Sequence, residues 1–436
     1  MRRAIRAAIL ATVGCLTASV GCSSGPASNH GATTDSGSPQ GPVKLYTWWV
    51  APGEAQALQG LIDTYTTAYP GGTVDDSGTE TGADTRANLD VAFTNGTYPD
   101  VFQLNFQDLP VFMTAHPNEV ASVDSFFADA ATKSAFLPDI LAGVTVNGHI
   151  QAIPVDVPRE SAFFYNKASF AARSLTPPTT LAELMSACAT LKSAGVTPIA
   201  LATGSSNGWI VRELFNAIVE GTMGASVFKD FITGAKPVTD PEITPPLQSA
   251  IATLGTILTQ YINADSASTL ANGNTFGWTD AADEVQAGKA AMFLHGDWVK
   301  GYWTALGWTP GVDFGETGAP GASDVFFYGI DVLGTPVNPP DLTSASDFLT
   351  VAASGAGQAA FSNAKGSSPA RIDVGSQLDV LGQATLNDLL NATVRIPVVA
   401  PAAWDTALGV YSSSPCGASD QQTLYQVYVA NPPSSM

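Results

Sequence analysis

Apolar and polar positions alternate along this chain in two periods, and the switches between them mark out strands and helices in turn. Val43–Thr47 predicts a short strand. Glu54–Tyr69 repeats at helical spacing, with Leu58, Leu61, Ile62 and Tyr65 on one face and Pro70-Gly71-Gly72 as its stop. A second helix is predicted over Thr85–Asn95 and a second strand over Asp100–Leu104. Val144–Val157 reads as a hairpin turning at Asn147-Gly148, a dipeptide that accepts the positive φ angles of a tight turn. Further strands are predicted at Ala162–Tyr165, Thr197–Ala202 and Ala290–His295. Helices are predicted at Leu181–Ala194, Gly208–Glu220, Pro246–Tyr261 and Ala281–Ala287, after Gly296-Asp297-Trp298, at Ser344–Gly355 and Ala384–Asn391, and from Trp404 onward. Strands and helices in alternation make this an α/β chain, and no internal repeat is visible.

The first strand ends in Trp48-Trp49, followed by Ala51-Pro52-Gly53-Glu54. Neighbouring side chains on a strand point to opposite faces, so a core readily takes only one of the two indoles. The other is expected in a loop or cleft. An exposed indole beside the Glu54 carboxylate suits a sugar, whose C–H face stacks on the ring while its hydroxyls donate to the carboxylate. Packing of both indoles is the alternative.

The N-terminus changes the picture. Arg2, Arg3 and Arg6 precede an apolar stretch, Ala7–Val20, that is too short for a bilayer-spanning helix. Residues 1–21 therefore read as an export signal. Ser19-Val20-Gly21-Cys22 resembles a bacterial lipobox, which would make Cys22 a lipidation site; Ser19 departs from the usual Leu, so plain secretory cleavage is the alternative. Residues 22–42 are rich in Ser, Gly, Thr and Pro and read as a flexible tether. About 390 residues follow, enough for two cores. With 38 Asp and Glu against 18 Lys and Arg, the chain is a poor candidate for nucleic acid or an anionic surface. Of its four cysteines, Cys15 leaves with the signal and Cys22 is the candidate anchor. Cys188 and Cys416 remain in an exported protein and are expected to pair as a disulfide, two buried free thiols being the alternative.

Catalytic patterns are sparse. Gly204-Ser205-Ser206-Asn207-Gly208 fits G-x-S-x-G between a strand and a helix, and a hydrolase nucleophile at Ser206 would need His295, the sole later histidine. His30, His116, His149 and His295 are scattered and predict no metal site. Asp75-Asp76 and Asp283-Glu284 read as surface charge. No phosphate-binding or dinucleotide glycine motif is present, so no cofactor is expected.

Several segments taken together resemble extracellular solute-binding proteins of sugar ABC transporters, in particular the glucose/mannose-type branch. They are Leu45-Tyr46-Thr47-Trp48-Trp49 with Glu54, Tyr98-Pro99-Asp100-Val101-Phe102-Gln103, and Ile153-Pro154-Val155 with Phe164-Tyr165-Asn166-Lys167. Ala194–Leu201 with Gly208-Trp209, Gly288–Met292 with Gly296-Asp297-Trp298, then Asp331 and Lys365-Gly366-Ser367-Ser368-Pro369 complete the set. The resemblance implies a periplasmic-binding-protein-like type II fold, two α/β lobes with ligand in the cleft. Mapped here, lobe one holds 43–154 and 290–330, and lobe two holds 155–289 and 331–436, with crossings near 154–158, 288–296 and 329–333. Both Cys188 and Cys416 fall in lobe two. The resemblance further implies a non-catalytic, monomeric receptor that takes a carbohydrate to permease subunits and touches the membrane only through its anchor. Its implied ligand residues are Trp48, Trp49, Glu54, Gln103, Asn105, Trp278, Trp298, Asp331 and Lys365, with Trp209, Asp297 and Trp404 as further candidates. Asn105 stands where glucose-type relatives carry His, and Val398–Ala402 lacks their His-Gly, which implies a sugar other than glucose. A secreted carbohydrate-active hydrolase and a surface lipoprotein without a transport role are the competing readings.

Overall fold

The computed structural model describes residues 41–433 apart from 80, 323, 324 and 415. The signal, Cys15, Cys22 and almost all of the expected tether lie outside the described residues. In chain order the strands are β1 (Pro42–Tyr46), β2 (Thr73–Asp76), β3 (Val101–Asn105), β4 (Ile153–Val157), β5 (Ala162–Asn166), β6 (Thr197–Ile199), β7 (Ala290–His295), β8 (Phe314–Gly318), β9 (Val325–Tyr328), β10 (Asp331–Gly334), β11 (Ser368–Pro369) and β12 (Val394–Pro397). The helices that position the site are α1 (Glu54–Ala68), α2 (Gly208–Met223), α3 (Trp298–Ala305), α4 (Gly355–Lys365), α5 (Val380–Asn391), α6 (Ala402–Ser412) and α7 (Ala418–Ala430).

Two sheets divide the molecule. A six-stranded sheet runs β11-β4-β10-β3-β1-β2, and a four-stranded sheet runs β8-β5-β7-β6. Each has its own core. Val43, Leu45, Leu61, Phe102, Leu104, Val155 and Val332 lie in the first, and Phe163, Phe164, Leu201, Leu214, Phe293 and Trp303 in the second. The chain passes between the lobes three times, at 158–161, 329–330 and 398–401. The short parallel pair β9–β12 sits at the crossing. Arg159 pins this region: its Nη2 donates to the Val325 carbonyl at 2.7 Å and its guanidinium lies 5.4 Å from the Phe326 ring centre.

This pairing corrects the expected lobe boundaries. β7 pairs with β5 and β6, so 290–295 belongs to the second lobe. β10 pairs with β3 and β4, so 331–334 belongs to the first. Residues 288–296 are therefore not a crossing. Periodicity identifies a strand but not its partner, and Ala290–His295, buried at every position, fits the inside of either sheet. The hairpin at Asn147-Gly148 forms with both residues at positive φ, but its arms are only Thr145–Val146 and His149–Ile150. β4 leaves it to join the six-stranded sheet. A helix at 355–365 was not expected from its Gly/Ala-rich sequence; Ser354 caps it by accepting from the Gly357 N–H at 3.0 Å.

The expected Cys188–Cys416 disulfide is also corrected: both are buried free thiols. Cys188 faces the second core from its helix, and the Cys416 thiol instead donates to the Tyr411 carbonyl at 3.4 Å. Burial holds the Cys188 thiol up at about 12, which makes it inert.

Helix α2 carries the indole Trp209 and meets α6 at very short range. A Cβ at Gly208 would lie 1.8 Å from the Asp405 carbonyl oxygen. Helix propensity alone favours Ala over Gly by ~1 kcal/mol. The collision reverses that sign, so Gly208→Ala is expected to lower stability by roughly 1–3 kcal/mol in thermal or urea denaturation. An unchanged or raised midpoint would show that the two helices do not touch there.

Candidate functional site

Four charged side chains from four segments converge on the first lobe. Glu54 opens α1, Asp156 lies on β4, Asp331 opens β10 and Lys365 ends α4; all are nearly or fully buried. The Lys365 ammonium is hydrogen-bonded to Asp331 Oδ2 and lies 3.5 Å from Asp156 Oδ2 and 4.0 Å from Glu54 Oε1. Ser367 donates to Asp156. Trp49 is core: its ring packs 4.5 Å from Phe361, and its Nε1 reaches Asp331 Oδ2 at 3.4 Å. Lys365 Nζ sits 5.3 Å over the same indole, a cation–π contact. Trp48 is the partly exposed member of the pair, and its backbone N–H donates to the Gln103 side-chain oxygen at 3.0 Å. Gln103 itself is buried with Nε2 unpartnered. Asn105 is partly exposed and stands opposite Asp331 in the β3–β10 register.

Three carboxyls share one ammonium away from water, so they cannot all ionise cheaply. Burial pushes Asp156 up to about 8 and Glu54 to about 7, the Lys365 charge opposing in both cases. Burial also acts to lower the Lys365 pKa, but the three carboxylates together raise it on balance. The site therefore offers protonated and ionised carboxyls beside a permanent cation, a mixed set of hydrogen-bond donors and acceptors.

The second lobe brings a different set to the same junction. Trp209, Trp278 and Trp298, all partly exposed, surround His295 at ring-centre distances of 5.3, 5.8 and 5.1 Å. The Trp298 ring folds back over Gly296, where a Cβ would lie 2.0 Å from it, so a side chain there would displace the ring. Helix α3, which Trp298 opens, abuts the charged cluster. A Cβ on Gly301 would lie 2.2 Å from the Lys365 carbonyl oxygen, and one on Gly53, at φ +84°, would lie 2.5 Å from Gly301. Asp297 is wholly buried at the head of α3, its N–H bonded to the Arg159 carbonyl at 2.9 Å.

The structure thus gathers Trp48, Glu54, Gln103, Asn105, Asp331 and Lys365 on one side and Trp209, Trp278, Asp297 and Trp298 on the other. Asp331 and Lys365 lie in the first lobe rather than in the second, where the expected boundaries put them. Trp404 is corrected to core: Phe231 stacks on it at 5.4 Å, Tyr428 lies at 4.3 Å, and its Nε1 donates to the Asn431 carbonyl at 2.8 Å. Asp156, Ser367 and His295 were missed. Asp156 left a signal, an acid inside the otherwise apolar Ile153–Val157. Ser206 is exposed on a 3-10 turn, and both His295 ring nitrogens lack a hydrogen-bond partner, so no Ser–His pair forms. A cavity of about 300 Å³ against the edge strand β8, lined by Tyr165, Lys167, Glu316 and Leu381 among others, holds none of the candidate ligand residues. Among the described residues there is no group of His, Cys, Asp or Glu that could hold a metal, and no helix long and apolar enough to cross a membrane.

Residues 60–380 match the family profile of bacterial extracellular solute-binding proteins. The chain belongs to that family. This solute-binding protein is 29% identical over 359 residues to a probable sugar-binding periplasmic protein of Mesorhizobium japonicum, covering 80% of this chain and 81% of the relative. It is 27% identical over 369 residues to an uncharacterised ABC transporter extracellular-binding protein of Pyrococcus horikoshii, covering 82% and 78%. The xylose/arabinose-binding protein XacG of Haloferax volcanii matches at 28% over 58% of this chain and 53% of its own length. Among solved structures, a maltotriose-binding protein of Thermus thermophilus superposes with a TM-score of 0.66 at 18% identity, covering 89% of this chain and 98% of that one. A chitin oligosaccharide binding protein gives 0.71 at 19%, covering 88% and 97%. At these identities the likeness shows the fold, which is the periplasmic-binding-protein-like type II fold.

The charged cluster sets a pH dependence for the solute-binding protein. Asp156 and Glu54 hold their protons more tightly folded than unfolded, so folding stability falls as pH rises from the ordinary carboxylate range through 7 to 8. Urea midpoints are expected to decline between pH 5.5 and 8.5, and Asp156→Asn to flatten that decline. An equal slope in wild type and variant would contradict the shared-proton arrangement.

Proposed function

We propose that this protein captures a carbohydrate outside the cytoplasmic membrane and delivers it to an ABC permease. One observation carries the reading: an ammonium with its carboxyls lies against the helix whose first residue, Trp298, belongs to a wall of three partly exposed indoles. A sugar presents the matching chemistry, C–H faces for indoles and hydroxyls that donate to carboxylates and accept from an ammonium. The relatives named for sugar or xylose/arabinose binding, and the neighbours named for maltotriose and chitin oligosaccharides, support it. The polar groups are buried when the lobes meet, so ligand access needs the lobes to part about the three crossings and closure then buries the sugar.

Glu54, Gln103, Asn105, Asp331 and Lys365 orient the sugar from the first lobe, and Trp278, Trp298, Trp209 and Asp297 line the second. Trp48 stacks from the rim, and Trp49 acts by holding Asp331. The residue pattern supports a reading nearest the glucose/mannose-type branch. With Asn105 and the Val398–Ala402 tail lacking that branch's histidines, two side-chain contacts change. A ligand hydroxyl left unpaired costs about 1–3 kcal/mol, so a hexose other than glucose, a disaccharide or a glycosidic fragment is the better ligand. The protein acts as a non-catalytic monomer, exported by its signal and tethered through a lipid on Cys22.

Thermal-shift and calorimetric titration against mono- and disaccharides tests this. One sugar class is expected to raise the melting temperature saturably and to be recovered chemically unchanged. Trp298→Ala is expected to weaken its binding about tenfold or more, ~1.4 kcal/mol. A flat response to every sugar, or consumption of the sugar, would overturn the reading.

A further inference from the structure

We propose that His295 is a specificity-determining contact that reads one ligand hydroxyl from the floor of the indole wall. The inference rests on the carbohydrate reading above and narrows it to a single side chain.

His295 is the last residue of β7, and it is fully buried. Its neighbours are rings: Phe293 at 4.8 Å, Trp298 at 5.1 Å, Trp209 at 5.3 Å and Trp278 at 5.8 Å. Neither ring nitrogen has a hydrogen-bond partner. The other histidines among the described residues behave differently. His116 Nε2 meets Asp90 at 2.9 Å and His149 Nδ1 meets Asp124 at 2.6 Å. A buried polar atom left unpartnered costs about 1–3 kcal/mol, and a Phe or Met would fill the same space without that cost. The imidazole is thus poorly explained as core packing, and it is well explained as a group whose partner is the ligand.

The charge state selects the kind of partner. Burial, with the nearby Arg212 cation acting in the same direction, lowers the His295 pKa to about 3. At neutral pH the ring is neutral, with one nitrogen donating and the other accepting. A hydroxyl has the same double character, whereas a carboxylate or phosphate would find only one donor. The three indoles around the ring favour an apolar ligand face beside that hydroxyl. A neutral polyhydroxylated ring satisfies both demands. The rings packed around His295 restrict the plane of its imidazole.

The test uses the full protein with D-glucose, D-galactose, D-xylose and maltose as probes, followed by the monodeoxy analogues of whichever binds. His295→Phe keeps the ring packing and removes both nitrogens; His295→Gln keeps a donor and an acceptor. The unliganded Phe variant is expected to melt at or above wild type. Its affinity for the parent sugar is expected to drop about tenfold or more, and the preference for the parent over one deoxy analogue to collapse. The Gln variant is expected to retain part of that preference, and it carries the test if the Phe variant fails to fold. Unchanged affinity and unchanged deoxy discrimination in either folded variant would overturn the proposal and leave His295 served by a buried water or by packing alone. If the wild type binds none of the probes while remaining folded, the carbohydrate reading falls first and this proposal with it. If wild type binds and the variants bind equally well, only this proposal falls.

Discussion

The Lys365 ammonium is the point on which the first lobe's functional edge depends. A cation taken out of water is tolerated only when its hydrogen-bonding and charge demands are met on the spot. Here they are met by carboxyls from α1, β4 and β10, so one side chain at the end of α4 ties together four segments far apart in sequence. Three acids to one base leaves negative charge in excess, and the surplus is managed by protons held on Asp156 and Glu54 rather than by further cations. Removing Lys365 would leave a buried anionic cluster without its counter-charge. The indole of Trp49, wedged against Phe361 and bonded to Asp331, keeps water from relieving that arrangement.

The second constraint is backbone proximity. Gly53, Gly301 and Gly366 meet where the heads of α1 and α3 and the tail of α4 converge, and each site is too close for a side chain. This contact brings the lobe carrying the aromatic wall onto the lobe carrying the charged cluster. Lys300, buried beside it, bridges Glu316 of β8 at 3.0 Å and Thr385 of α5 at 2.7 Å, so a second cation stitches the same junction. Most of the polar side chains thus come from the first lobe, and three of the partly exposed indoles come from the second.

Much of this was legible in the chain. The Trp48-Trp49 pair was expected to split between core and cleft, and Trp49 is buried while Trp48 is partly exposed. Glu54, Asp331 and Lys365 could be named because they stand beside motifs with a recognisable order. What could not be read was which strands pair. β7 is a buried, mostly apolar run and β10 a four-residue strand, so neither sequence selects its sheet and only three-dimensional pairing sorts them. Helix α4 escaped because its glycines lower helix propensity, while tight packing on the preceding helix requires one of them, Gly357. The cysteines failed as a pair because export makes pairing favourable without bringing two residues together. His295 was hidden by its setting, since a histidine inside an apolar strand looks like packing until its nitrogens are found without partners.

The most direct measurement is a crystal structure of the protein with its bound sugar. Ligand hydroxyls within hydrogen-bond distance of Asp331, Glu54 or Lys365, with a pyranose face against Trp298, would establish that the charged cluster and the indole wall form one site. A bound sugar lying elsewhere, with Lys365 still closed among its carboxylates and untouched by ligand, would show instead that the cluster only holds the fold together.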